Sequence, residues 1–187
     1  MALVVFTGGA RSGKSSAAQE LARLRSLDGQ PVVVAVFGDG ENDAEMAERI
    51  GRHRADRPAD FTTLEASGAD SWIDAVPDEA LLLVDCLGTL LSRVMAELGP
   101  DTRAEEVEKR ALGTVARLLA RPGDTIVVTN EVGDGVVPAY ASGRVFRDVL
   151  GRLNRTLVAA ADVAYLVVCG RPIDLTPGAP APRWPAD

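Results

Sequence analysis

Histidine, lysine and cysteine are scarce in this 187-residue chain, and each scarcity narrows the chemistry. One histidine and two cysteines without C-x-x-C spacing leave no donor set for a structural zinc site. Cys86 and Cys169 lie in or beside apolar runs and are expected to be buried, reduced thiols. Only two lysines, Lys14 and Lys109, stand against eighteen arginines, and the net charge is −7. A chain so acidic does not bind nucleic acid or anionic membrane in bulk, so any phosphate binding must be local. No apolar run approaches the roughly 20 residues of a membrane span. The N-terminal segment enters a strand within three residues, without a basic stretch and a long apolar one after it, and the expectation is a soluble, cytoplasmic protein. There is no internal repeat and no N-K-x-D guanine-recognition sequence.

What the chain does have is a glycine loop in the right setting. Gly8-Gly9-Ala10-Arg11-Ser12-Gly13-Lys14-Ser15 reads G-x-x-x-x-G-K-S, directly behind the apolar run Leu3-Val4-Val5-Phe6 and ahead of a helix-prone stretch at 16–22. Strand, glycine loop and helix in that order form a phosphate-binding loop. The glycines let successive N–H groups point inward, and the helix start adds unpaired donors and a positive dipole end. Lys14 is placed to reach the β- and γ-phosphates of a nucleoside triphosphate, and the Ser15 hydroxyl to ligate Mg²⁺.

Apolar content of 47% in a chain of this length supports one substantial core and one domain. Strands are expected near 3–7, 32–37, 81–85, 125–129 and 163–168, and helices near 14–25, 43–54, 88–98, 103–121 and 140–161. Strands that are apolar throughout, alternating with helices, predict an α/β fold: a P-loop NTPase-like, mostly parallel sheet with helices on both faces. Ligands then gather at the carboxyl ends of the strands. The segment 172–187 carries five prolines and is expected to be an extended or disordered tail behind a folded domain at 1–171.

Three further stretches can carry chemistry. Leu81-Leu82-Leu83-Val84 ends in Asp85, a strand-end acid able to hold Mg²⁺ beside a phosphate loop, although many strands end in aspartate. His53, the only histidine, shares a helical face with Met46 and Ile50, a position that also suits a packed structural residue. Arg49, Arg52, Arg54 and Arg57 surround it in sequence. Such a cluster would attract triphosphate and favour the neutral, nucleophilic imidazole. Thr129-Asn130-Glu131 follows the fourth expected strand, and Arg144, Phe146-Arg147-Asp148, Gly151 and Asn154 lie on one long helical segment. Packing alone does not explain those polar positions.

Taken together, G-G-A-R-S-G-K-S, E-M-A-x-R-I-x-x-H-R-x-x-R-P (45–58), T-N-E-V-G-x-G-x-V-P (129–138), F-R-D-x-x-G-x-x-N (146–154) and A-A-x-D resemble the adenosylcobinamide kinase/adenosylcobinamide-phosphate guanylyltransferase family. The match runs in order from Gly8 to about Gly170. The resemblance implies two reactions of cobalamin nucleotide-loop assembly: phosphorylation of adenosylcobinamide by a nucleoside triphosphate, GTP or ATP, then transfer of GMP from GTP through a histidine to give adenosylcobinamide-GDP. It places His53 as the guanylylated residue. It implies nucleotide contacts at 8–15, at Val36, Phe37 and Gly38, at Arg54, Ala55, Asp56 and Arg57, and at Glu65 and Asp85, with Mg²⁺ as cofactor. It also implies a homotrimer. Two other readings stay open: a P-loop kinase of a small alcohol in which His53 is structural, and a non-catalytic nucleotide switch.

Overall fold

The computed structural model describes residues 1–37, 58–66 and 70–176. The sheet has seven strands: β1 (Leu3–Thr7), β2 (Val32–Val36), β3 (Thr62–Glu65), β4 (Leu81–Asp85), β5 (Thr125–Val128), β6 (Val163–Val168) and β7 (Arg171–Asp174). Their order is β3-β2-β4-β5-β1-β6-β7, parallel throughout except for β7, which returns antiparallel along β6. The helices among the described residues are α1 (Lys14–Leu27), α2 (Leu87–Leu98), α3 (Ala104–Ala120) and α4 (Ala141–Ala160), with a short 3-10 turn at Ser71–Ala75. The expected helix at 43–54 lies outside the described residues.

Burial explains the order. β4 and β5 are buried almost end to end, as strands covered on both faces must be, whereas β3 and β7 are partly or wholly exposed and sit at the edges. One face receives α1, whose Ala18 and Ala22 are one turn apart and let the helix lie close on Phe6, Val34, Leu83 and Ile126. The other face receives α2, α3 and α4 through stripes at helical spacing: Leu87, Leu90, Leu91 and Val94; Val107, Ala111, Val115 and Leu118; Val149, Leu150, Leu153 and Leu157. Helices therefore cover both faces, as expected.

Three differences from the sequence reading stand out. β3 escaped notice because Thr62–Glu65 is short and not apolar; its hydrogen bonds to β2 make it a strand, not its side chains. β7 carries the sheet past residue 171, with Pro172 tolerated because an edge strand has one side free of ladder bonds. Cys169 is exposed, contrary to the expectation for both cysteines; it occupies the left-handed turn between β6 and β7 at φ 49°, which lifts its side chain out of the sheet. Cys86 is buried, and both thiols are free.

Candidate active site

The phosphate loop leaves β1 at Thr7 and enters α1 at Lys14. Two glycines are required by geometry. Gly8 has φ 153°, and a Cβ there would stand 2.5 Å from the Val167 carbonyl oxygen. Gly13 has φ 95°, and a Cβ there would stand 3.2 Å from the Gly170 Cα. Arg11 adopts φ 57°, the left-handed conformation that curls the loop. Ser12 N–H donates to the Gly9 carbonyl at 3.3 Å, and Ala17 N–H to Gly13 at 3.0 Å as the helix begins.

Lys14 is only 5% exposed, and its Nζ donates to the Gly9 carbonyl at 3.0 Å, folding the ammonium over the loop. Ser15 Oγ donates to Asp85 Oδ1 at 3.1 Å. A hydroxyl and a carboxylate oxygen, brought together from α1 and the end of β4, form the hard-oxygen pair that Mg²⁺ prefers; phosphate and water complete such a site. Among the described residues no cluster of three or more His, Cys, Asp or Glu side chains could hold a metal alone.

The remaining described candidates lie along the same edge of the sheet. Val36 ends β2 and pairs in register with Glu65 at the end of β3, while β2 itself borders β4 and Asp85. Phe37 is buried, its ring edge-on to Trp72 at 5.0 Å, so only its backbone is free to face a nucleotide. Thus 8–15, Asp85, Val36 and Glu65 stand at the carboxyl ends of four strands, β1, β4, β2 and β3, with β5 lying between β1 and β4. Gly38, His53, Arg54, Ala55, Asp56 and Arg57, together with Arg49 and Arg52, lie outside the described residues.

Two features at this edge were not recognised as part of the site from sequence. The β6–β7 turn clasps the loop: Gly170 N–H donates to the Ser12 carbonyl at 2.8 Å, and Cys169 and Gly170 are successive positive-φ residues. No local sequence signal predicts a contact between segments so far apart. The second feature is a bridge between two of the motifs. Asn154 of α4 accepts from Thr129 Oγ1 at 2.6 Å and donates to the Asn130 carbonyl at 3.0 Å, so F-R-D-x-x-G-x-x-N holds the end of β5 in place. Glu131 N–H donates to the Gly8 carbonyl at 3.0 Å, and its Oε1 accepts from Gly133 N–H at 2.7 Å. Thr7 Oγ1, Ser12 Oγ and Asn130 Oδ1 are buried at this edge without a hydrogen-bond partner.

Fold and site together define a protein of the P-loop nucleotide-binding class: a mostly parallel sheet, a glycine loop feeding a helix, and a strand-end acid on the loop serine. The family described as cobinamide kinase / cobinamide phosphate guanyltransferase matches residues 4–175, and the chain belongs to it. The bifunctional adenosylcobalamin biosynthesis protein CobU of Salmonella typhimurium is 37% identical over 180 residues, covering 90% of this chain and 96% of that one. Its Escherichia coli counterpart is 36% identical over 180 residues with the same coverage, 90% and 96%. The bifunctional adenosylcobalamin biosynthesis protein CobP of Pseudomonas aeruginosa is 38% identical over 173 residues, covering 91% and 95%. A solved KaiC-like protein, PH0186 from Pyrococcus horikoshii OT3, has a TM-score of 0.49 and 16% identity, covering 88% of this chain and 70% of that one. No helix among the described residues is long and apolar enough to cross a membrane.

Proposed function

We propose that the protein carries out both reactions of its family: phosphorylation of adenosylcobinamide by GTP or ATP, then transfer of GMP from GTP to the phosphorylated corrinoid. The observation that carries the reading is the contact of Ser15 with Asp85 at the ligand edge of the sheet, with Lys14 folded over the glycine loop beside it, in a chain that belongs to this family. Lys14 and the inward N–H groups of 8–15 bind the triphosphate and orient its γ-phosphorus toward the acceptor hydroxyl. Ser15 and Asp85 would hold Mg²⁺, which when bound neutralises charge on the phosphate oxygens. His53 attacks the α-phosphorus of GTP; a phosphorus–nitrogen bond forms, pyrophosphate leaves, and the imidazole proton passes to solvent or a nearby base. Arg54, Ala55, Asp56, Arg57, Val36, Gly38 and Glu65 belong to the guanine-nucleotide contacts of that step. The same reading includes a homotrimer in the cytoplasm and a single catalytic domain ahead of a proline-rich tail.

The experiment is a labelling assay on wild type and His53→Ala. Wild-type protein takes up label from α-labelled but not γ-labelled GTP, in a bond that acid breaks and alkali spares, as befits a phosphoramidate. His53→Ala still phosphorylates adenosylcobinamide and forms no adenosylcobinamide-GDP. GMP on another residue, or full guanylyl transfer by the variant, replaces this reading with the simple kinase. Sedimentation of the intact chain tests the trimer.

A further inference from the structure

We propose that Glu131 is the general base of the phosphoryl-transfer step, the group that takes the proton from the acceptor hydroxyl. This rests on the kinase half of the function proposed above.

The topology supplies the first argument. β5 lies between β1 and β4, so a chain leaving β5 emerges between the phosphate loop and Asp85. Glu131 is in that position, and its N–H bond to the Gly8 carbonyl ties it to the first glycine of the loop. Its carboxylate is restrained as well, because Gly133 N–H donates to Oε1 at 2.7 Å. Asn154 fixes the two preceding residues, so the turn has little freedom to carry the carboxylate elsewhere. Rigid support of that kind is what a group acting within hydrogen-bond reach of a reacting atom requires.

The second argument is elimination among the acids that the described residues place at this edge. Asp85 is engaged by Ser15 Oγ. Glu65 ends β3, at the far edge of the sheet. Asp148 pairs with Arg147, and Asp134 lies exposed further along the loop. Glu131 makes no ion pair with an arginine or lysine among the described residues, and its Oε2 accepts no hydrogen bond from them. A carboxylate beside a triphosphate loop, oriented by one N–H and otherwise unspent, has no structural task that an amide could not perform. In the step itself the hydroxyl oxygen forms a bond to the γ-phosphorus, the bond from that phosphorus to the β-phosphate oxygen breaks, and the nucleoside diphosphate leaves. The hydroxyl proton ends on Glu131 and passes to solvent when the product departs.

The Gln substitution isolates this role, since its carbonyl oxygen can still accept from Gly133 N–H while its basicity is gone. With γ-labelled ATP and adenosylcobinamide, Glu131→Gln should lose about 10²-fold or more in kinase kcat, with nucleotide KM changed little. Uptake of label from α-labelled GTP, which needs no acceptor hydroxyl, should persist. Glu131→Asp should recover part of the kinase rate, and Asp134→Asn on the same loop should leave both reactions near wild type. A Gln variant with near wild-type kinase kcat overturns the proposal. So does one in which both reactions fall together, which would make Glu131 a loop anchor. If wild-type protein fails to phosphorylate adenosylcobinamide, the kinase reading itself is at fault, whatever the variant does.

Discussion

The two ends of the sheet treat polar groups in opposite ways. At the amino ends of the strands, polar side chains close on the protein itself. Asp124 accepts from Ala2 N–H at 2.8 Å and from Gln30 at 3.3 Å, and Asp162 accepts from Leu3 N–H at 2.8 Å. Arg121, buried at 4% exposure, spends its guanidinium on the carbonyls of Pro77, Ala80 and Asp124, leaving only Nε without a partner. At the carboxyl ends, Thr7 Oγ1, Ser12 Oγ and Asn130 Oδ1 are buried and unpartnered. Burying a polar atom without a partner costs about 1–3 kcal/mol. One end is built for stability, and the other gives up stability to keep groups ready for a ligand.

The largest expected effect that tests this contrast is Lys14→Ala. Both proposed reactions should fall by about 10³-fold or more, as expected for groups that neutralise and position a transferring phosphoryl group. Thermal unfolding without nucleotide should still show a cooperative, folded protein; retained turnover at saturating nucleotide would break the assignment of this end as the site. Next is Asn154→Ala, which strands Thr129 Oγ1 and the Asn130 carbonyl and should cost roughly 2–3 kcal/mol in urea unfolding. A smaller cost would show that the end of β5 needs no bridge.

Asp124→Asn probes the opposite end. The hydrogen bond from Ala2 N–H holds the Asp124 carboxyl below its usual range; burial opposes this, and Gln30, the N-terminal amine and Arg25 add to it. A depressed folded pKa means the stabilisation is present above the ordinary carboxylate pKa and lost as pH falls through the folded value. The variant should thus be about 1–2 kcal/mol less stable at neutral pH, with the gap closing in strong acid; a gap that stays constant with pH contradicts the ionic origin. The smallest effect sharpens the comparison most. Thr7→Val removes an unpartnered buried hydroxyl, so stability should stay level or rise by up to about 1 kcal/mol, while nucleotide affinity, read by calorimetry, falls. A loss of stability with unchanged affinity would place Thr7 with the structural end.

The legible parts of this molecule are those where the chain's own pattern decides the outcome. β4 and β5 are continuous apolar runs because both faces are covered, and the stripes of α2, α3 and α4 follow the helical period. Lys14, Ser15 and Asp85 were read as partners, and Ser15 and Asp85 do meet. β3 and β7 were missed because edge strands exist through hydrogen bonds to a neighbour, and their side chains carry little apolar signal. Phe37 was read as a nucleotide contact through resemblance; its side chain packs on Trp72, which leaves the backbone for such a contact. The polar residues of 146–154 were noticed without a purpose, because the partner of Asn154 lies on another element.

The clasp of Gly170 on Ser12 orders events during synthesis. The glycine loop is translated well before the turn that braces it. A nascent chain ending before Cys169 carries the whole G-x-x-x-x-G-K-S sequence but lacks the Gly170 backbone that clasps Ser12 and lies against Gly13. The brace on the loop therefore forms only after β6 has been made and the chain has turned toward its return strand.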